Sequence, residues 1–204
     1  MTDWLDNALI ILLVFAVYAV LHSLMASLRA KALAEQWFGI NTRRWYRLGF
    51  VVIVTITFLP VLGFTVLLPA KTLYIIPVPW VIGTILLQIL AVMGVLIVVG
   101  QTGASRFLGF DQLSEPAERA HPPDFVAYGW YAHVRHPLYL FGLVILWLMP
   151  LMTTNILALN LGVTAYFLVG SIFEENKLLH EFGDVYHRYR QTVPRLIPRL
   201  KRQQ

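Results

Sequence analysis

Of 204 residues, 58% are hydrophobic and 13% charged, where a soluble domain carries roughly a quarter charged residues; with a mean hydropathy of +0.66 this excludes an ordinary soluble globule and indicates an integral membrane protein, read as one domain over residues 1–204. Cysteine is absent, which removes disulfides, thiolate metal sites and a cysteine nucleophile together. The net charge of +5 is divided among the gaps between apolar runs instead of gathered on one face, so it argues for membrane topology and against nucleic acid.

The N-terminus carries Asp3 and Asp6 and no Lys or Arg, unlike a cleaved signal peptide, so the first helix is expected to remain. Residues 8–28 are long enough for a first crossing at about 20 residues each. His22 and Ser23 lie within it, read as a histidine satisfied near the membrane face or as a ligand contact. A basic connection follows, with Arg29, Lys31, Arg43, Arg44 and Arg47, and Trp37, Phe38, Trp45 and Tyr46 interleaved as interfacial anchors. Residues 48–68 form the second span, with Pro60 expected to kink it. Residues 69–79 read as a short turn bearing Lys71. The third span is 80–100, where Gly83, Gly94 and Gly100 permit close helix packing.

Residues 101–132 are polar, with Asp111, Glu115, Glu118 and Arg119 among Pro116, Pro122 and Pro123, and predict a loop or short surface helix. From Leu138 to Phe173 no charge occurs over 36 residues. That is short for two ideal crossings and a turn, and it predicts a helical hairpin of two spans, 133–150 and 154–173, meeting near Pro150 to Asn155. The alternative is one long span followed by a buried half-helix. In the tail, 174–204, Leu178, Leu179, Phe182, Val185, Tyr186 and Tyr189 recur at helical spacing, an amphipathic helix that Pro194 and Pro198 stop. It reads either as an interfacial helix on anionic lipid or as a lid.

The expected fold is therefore all-α and polytopic, with five transmembrane helices, a C-terminal hairpin and an amphipathic tail helix. Five spans place every Lys and Arg except Lys71 on one side, which the positive-inside rule makes cytoplasmic, with the N-terminus outside. Arg135 and His136 stand where the hairpin enters the bilayer, and charged groups near hydrocarbon cost a few kcal/mol unless they face a protein interior. Glu174 and Glu175 stand at the hairpin's other end. A hairpin returns both ends to one face, so the two patches are predicted to meet there.

These residues carry a resemblance. Arg135-His136-Pro137-x-Tyr139, followed by Glu174-Glu175-x-x-Leu178-x-x-x-Phe182-Gly183-x-x-Tyr186-x-x-Tyr189 and Val193-Pro194, resembles the C-terminal half of the membrane methyltransferases grouped with isoprenylcysteine carboxyl methyltransferase and phospholipid methyltransferase. The likeness covers residues 128–198. A weaker one, His22-Ser23 and Arg44-x-Tyr46-Arg47-Leu48, extends to bacterial members including methanethiol methyltransferases and nitric-oxide-associated membrane proteins, and implies a bacterial inner membrane. Many members have a glycine where Phe141 stands here, with Gly142 following.

The resemblance implies S-adenosylmethionine as methyl donor, with His133, Arg135, His136, Tyr139, Glu174, Glu175, Tyr186 and Tyr189 as cofactor-binding residues. Arg135, His136 and Glu174 are the expected catalytic set, and no metal is expected. That donor carries a carboxylate, an ammonium, a sulfonium and an adenine. Arg135 would grip its carboxylate or orient the acceptor. Glu174 or Glu175 would receive the ammonium, and a tyrosine ring would face the sulfonium. His136 or His133 is the expected base toward a thiol or amine. The acceptor, reached from the membrane, is left open among thiol, carboxylate, amine and quinone-like hydroxyl. Two other classes compete: a transporter or lipid-binding relative without catalysis, and a haem or metal protein using His22, His133, His136, His180 and His187.

Overall fold

A computed structural model of the chain describes residues 3–114 and 125–198. Its elements run α1 (Asp3–Ala26), α2 (Leu28–Phe38), α3 (Thr42–Leu67), β1 (Thr72–Ile75), α4 (Trp80–Gln101), α5 (Ala104–Leu108) and α6 (Phe110–Ser114). A 3₁₀ turn (Gly129–Ala132) then leads to α7 (Pro137–Trp147), β2 (Leu151–Thr153) and α8 (Thr154–Thr192). The all-α membrane character holds: α1, α3, α4 and α8 are each long and apolar enough to cross a bilayer. Leu13 and Val66 stay 67% and 79% exposed, as a face covered by lipid requires.

The fifth expected span, 133–150, takes a different form. Its helix, α7, has 11 residues, about 16 Å at 1.5 Å per residue, against roughly 30 Å of hydrocarbon. The 36 uncharged residues are not shared evenly, because residues 148–153 are spent on a link and on β2. The expected turn at 69–79 holds β1, which pairs antiparallel with β2, Thr72 opposite Thr153 and Ile75 opposite Leu151. The basic connection after α1 is itself helical, as α2, with Ser27 capping it by accepting from the Ala30 N–H at 3.1 Å. α3 runs helical through Pro60. Of the polar segment, α5 and α6 are described; Glu115, Pro116, Glu118, Arg119, Pro122 and Pro123 lie outside the described residues, as do Arg199, Lys201 and Arg202 of the tail.

The chain divides into two compact units, interleaved in sequence. The first comprises Met1–Ile75, Gly103–Pro123 and Leu151–Gly162. Within it α1 packs on α3, and Ile11, Phe15 and Val61 are buried. His22 stands between the rings of Tyr18 and Phe50, at 5.8 and 5.1 Å, a packed setting in the first unit. Arg47 donates to the Phe107 carbonyl at 2.7 Å and Arg44 to the Leu113 carbonyl, so these cations fasten α5 and α6 to α3. Gly109 makes that approach possible, since a Cβ there would lie 2.5 Å from the Leu48 nitrogen, and its φ of +99° suits glycine. Asn155, fully buried, donates to the Leu68 carbonyl at 2.9 Å just past the end of α3.

The second unit comprises Ile76–Thr102, Asp124–Pro150 and Val163–Gln204. α7 lies antiparallel to α8: Trp147 donates to Thr164 at 3.0 Å, and the Tyr139 ring stacks on Phe167 at 4.5 Å. The hairpin expected from the sequence is thus present in this half. Against α4, Phe141 fills the space beside Gly94, where a Cβ would meet its ring at 2.5 Å. Gly83 and Gly100 have nothing within 4 Å of that position, so of the three glycines only Gly94 serves a contact. α8 continues into the tail but is broken at Gly183, with φ 51° and ψ −125°. It ends at Thr192, just ahead of the residue before Pro194, where the helical conformation is disfavoured.

Candidate functional site

Pro137 opens α7, a position where a missing N–H costs nothing and a fixed φ helps. Arg135 and His136 therefore precede the helix with their backbone N–H groups unused by it. The tail takes them up: the Arg135 N–H donates to the Pro194 carbonyl at 2.9 Å, and the His136 N–H to the Arg195 carbonyl at 3.1 Å.

The side chains converge on Glu175. Its Oε1 accepts from Arg135 Nε at 3.0 Å and lies 3.0 Å from Arg135 Nη2, 3.2 Å from His136 Nε2 and 3.2 Å from Arg195 Nε. The remaining terminal nitrogen of Arg135, Nη1, donates to the Arg190 carbonyl at 2.6 Å and the Val193 carbonyl at 3.1 Å. Side-chain exposure is 9% for Arg135 and 3% for Glu175. A charge pair this deep holds only if its hydrogen bonds are largely satisfied, and here the guanidinium binds its counter-ion and the tail backbone together.

Glu174 is turned about 100° away along the helix and its side chain is 48% exposed. It accepts from the Tyr139 hydroxyl at 2.9 Å and stands 3.4 Å from His136 Nδ1. His136 thus has a carboxylate against each ring nitrogen. Its ring stacks on Tyr139 at 5.2 Å, and Tyr139 stacks in turn on Phe167.

The tail's aromatic residues form a second layer. Tyr189 donates to the Tyr131 carbonyl at 2.6 Å. Phe125 meets Phe182 and Tyr189 at 5.2 Å and Tyr186 at 6.0 Å. Tyr186 is 1% exposed, and its hydroxyl has no partner among the described residues. Burial first, then the Glu174 carboxylate, pushes the Tyr131 phenol up to about 12.

His133 stands apart from the carboxylates. It is exposed and lines, with Gln101, Gly129 and Trp130, a shallow cleft of about 170 Å³. Gln101 shapes that wall: its Oε1 accepts from the Trp130 N–H at 3.4 Å, and its backbone carbonyl accepts from Tyr128 at 3.2 Å. Gly129, at φ +62°, leaves the room that the Gln101 side chain occupies.

Of the residues singled out in the sequence, Arg135, His136, Tyr139, Glu174 and Glu175 come together in one cluster. Tyr189 attaches beside it, Tyr186 lies in the Phe125 group, and His133 is on the cleft. Sequence reasoning missed Arg195, Phe125, Phe167, Gln101 and Trp130. Phe167 had a signal, since it precedes Glu174 by seven residues and shares its helix face. Arg195 lies beyond the helix, where no periodicity reaches.

No family model matches this chain, and no solved structure matches it. Among curated proteins, methanethiol S-methyltransferase 2 of Bradyrhizobium diazoefficiens is 50% identical over 70 residues, 34% of this chain and 27% of that protein. Methanethiol S-methyltransferase 1 of the same organism is 42% identical over 81 residues, 40% of this chain and 28% of its own length. The methanethiol S-methyltransferase of Mycobacterium tuberculosis is 43% identical over 74 residues, 36% and 30% of the two chains. The match thus spans less than a third of these relatives' length. Over the matched part the chain is similar to proteins named as methyltransferases, in agreement with the resemblance carried by its two C-terminal motifs.

Proposed function

We propose that the chain is an S-adenosylmethionine-dependent methyltransferase of the membrane, one domain, whose acceptor is a small thiol. One observation carries this reading: Arg135, His136 and Tyr139 at one end of the hairpin are bonded to Glu174 and Glu175 at the other. The names of the similar proteins point to the thiol. The cluster suits the cytoplasmic side, as the distribution of Lys and Arg does.

The residues fit the donor with a changed division of labour. Glu174, half exposed, is the carboxylate available to an ammonium. The stacked rings of Tyr139 and Phe167 offer faces to a sulfonium, worth roughly 0.5–2 kcal/mol. Arg135 is engaged with Glu175 and two tail carbonyls, so its role here is to fasten the tail, a positioning residue. Glu175 shares that role. His136, with a carboxylate on each side and its ring stacked on Tyr139, orients Glu174 and is the base beside the donor rings, while His133 lies on the separate cleft. Tyr186 and Tyr189 position the tail.

When bound, the donor supplies an activated methyl group, so the protein needs no nucleophile of its own and contributes position and electrostatics. The acceptor's S–H proton would pass to His136, leaving the thiol's sulfur lone pair to take the methyl group. Glu174 would hold the donor's ammonium, the Tyr139 and Phe167 rings would face its sulfonium, and the donor would supply the methyl group with its own sulfur as the leaving group.

The test uses purified protein in detergent with methyl-labelled S-adenosylmethionine and methanethiol. Labelled dimethyl sulfide is expected, together with donor affinity reduced in Glu174→Ala. Donor binding without any labelled thioether would leave a binding protein and end the enzymatic reading. Unchanged affinity in Glu174→Ala would remove that residue from the donor site.

A further inference from the structure

The two rings offered to the donor are fixed in different ways. Tyr139 is held at its hydroxyl, which donates to Glu174 at 2.9 Å, and its ring stacks on His136 with planes 7° apart. Phe167 has no polar group, so packing alone orients it. Its face lies on Tyr139, with centroids 4.5 Å apart and planes at 10°. Its edge lies over Gly142 of α7, where a Cβ would meet Cε2 at 3.1 Å and Cζ at 3.6 Å. The shorter of these is tighter than the roughly 3.5–4.0 Å at which carbons pack, so any side chain at 142 pushes the ring away. Glycine is otherwise a poor choice inside a helix, and α7 has it only here. The ring it admits accounts for it.

Phe167, Gly170 and Glu174 share one face of α8. Gly170 lets the Tyr139 hydroxyl pass, since a Cβ there would lie 3.9 Å from that oxygen. Glu174 and the Phe167 ring are therefore separated by the length of one tyrosine side chain and a hydrogen bond, all within the second unit. In the donor a short aliphatic chain separates the ammonium from the sulfonium, so an ammonium on Glu174 brings the sulfonium over the rings. After transfer the ammonium, carboxylate and adenine are unchanged, and only the charge on sulfur is lost. Glu174 meets the same ammonium in both molecules. A ring face does distinguish them, because its quadrupole attracts a cation.

We propose that Phe167, held flat by Gly142, is the residue by which the site prefers the sulfonium donor to the thioether product left by transfer, so that loss of the methyl group loosens the product. Phe167 is a specificity-determining residue, and Gly142 acts through it as a positioning residue. The proposal rests on the methyl-transfer reading above and extends it to product release.

Calorimetric titration of the full chain in detergent with S-adenosylmethionine and with S-adenosylhomocysteine gives two dissociation constants, and their ratio is the readout. A cation on an aromatic face corresponds to about two- to thirtyfold in that ratio. Phe167→Leu is expected to reduce the preference for the donor by about that factor. In Gly142→Ala the new residue is the better helix former, so a loss there comes from the ring contact; a reduction of about twofold or more is expected. The double variant is expected to lose no more than Phe167→Leu alone. General loosening of the fold would weaken both ligands alike and leave the ratio in place. The wild-type ratio in folded Phe167→Leu overturns the proposal while donor binding stands, and if that variant does not fold, Gly142→Ala decides in the same way. A lowered ratio in Phe167→Leu beside the wild-type ratio in Gly142→Ala overturns the part given to Gly142. If wild type binds neither molecule, the methyl-transfer reading itself falls, and this one with it.

Discussion

Replacing Glu175 by Gln keeps the shape of the side chain and removes the charge on which three basic groups converge. Arg135, 9% exposed against 3% for Glu175, would be left as a buried cation without its counter-ion. Removing one partner of a buried pair costs roughly 3–5 kcal/mol. The lower end is expected, because Nη1 of Arg135 keeps the carbonyls of Arg190 and Val193 and Arg195 is 39% exposed and can turn to solvent. At about 1.4 kcal/mol per tenfold, 3 kcal/mol is roughly a hundredfold in the equilibrium for tail release. Glu174→Gln supplies the contrast: its side chain is 48% exposed, so the expected cost is about 0–1 kcal/mol. Two measurements in detergent check this, the unfolding temperature and the rate of tryptic cleavage after Arg188 and Arg190. Faster cleavage and earlier unfolding in E175Q, with E174Q near wild type, is the expected result. E175Q at the wild-type rate, or E174Q with an equal loss, would refute the assignment of Glu175 as the buried anchor.

Other consequences follow from single contacts. Tyr131, raised from 10 to about 12 by burial and Glu174, keeps its proton in the folded state after the unfolded chain has lost it. Stability is therefore full below pH 10 and declines as pH rises from 10 to 12; ultraviolet titration of Tyr131→Phe should lose one late-appearing phenolate, and its alkaline unfolding profile should be flatter. Gly94→Ala pushes a methyl group into the Phe141 ring and should cost about 1–3 kcal/mol by overpacking; unfolding temperatures should show that loss partly restored in the Gly94→Ala, Phe141→Leu double variant. Asn155→Ala leaves the Leu68 carbonyl without its 2.9 Å donor, an expected loss of about 1–3 kcal/mol visible as earlier thermal unfolding.

The meeting of Arg135 with a glutamate was legible because a charge at the edge of hydrocarbon has few places to go, and the hairpin left one. Which glutamate was not legible. Adjacent residues on a helix differ by about 100° in direction, and only the packing of α7 against α8 shows that Glu175 points in and Glu174 out. The span pattern was read from apolar length, which fixes α1, α3, α4 and the start of α8 but does not say how many residues an uncharged run spends outside a helix; residues 148–153 are the case in point. In the tail, three- and four-residue spacing set Val185 on the apolar face, yet it is 49% exposed, because the backbone turn at Gly183 resets the face on which the next residues lie. Phe141 was noticeable as a bulky residue in place of a glycine, and its contact with Gly94 depends on two helices whose pairing no local pattern records.

The two main-chain bonds from Arg135 and His136 to Pro194 and Arg195 tie the segment that enters α7 to the tail beyond α8. They need no particular side chain on either partner, only correct register. Removing the chain from Pro194 onward would therefore leave both N–H groups ahead of α7 without these acceptors, whatever side chains stood there.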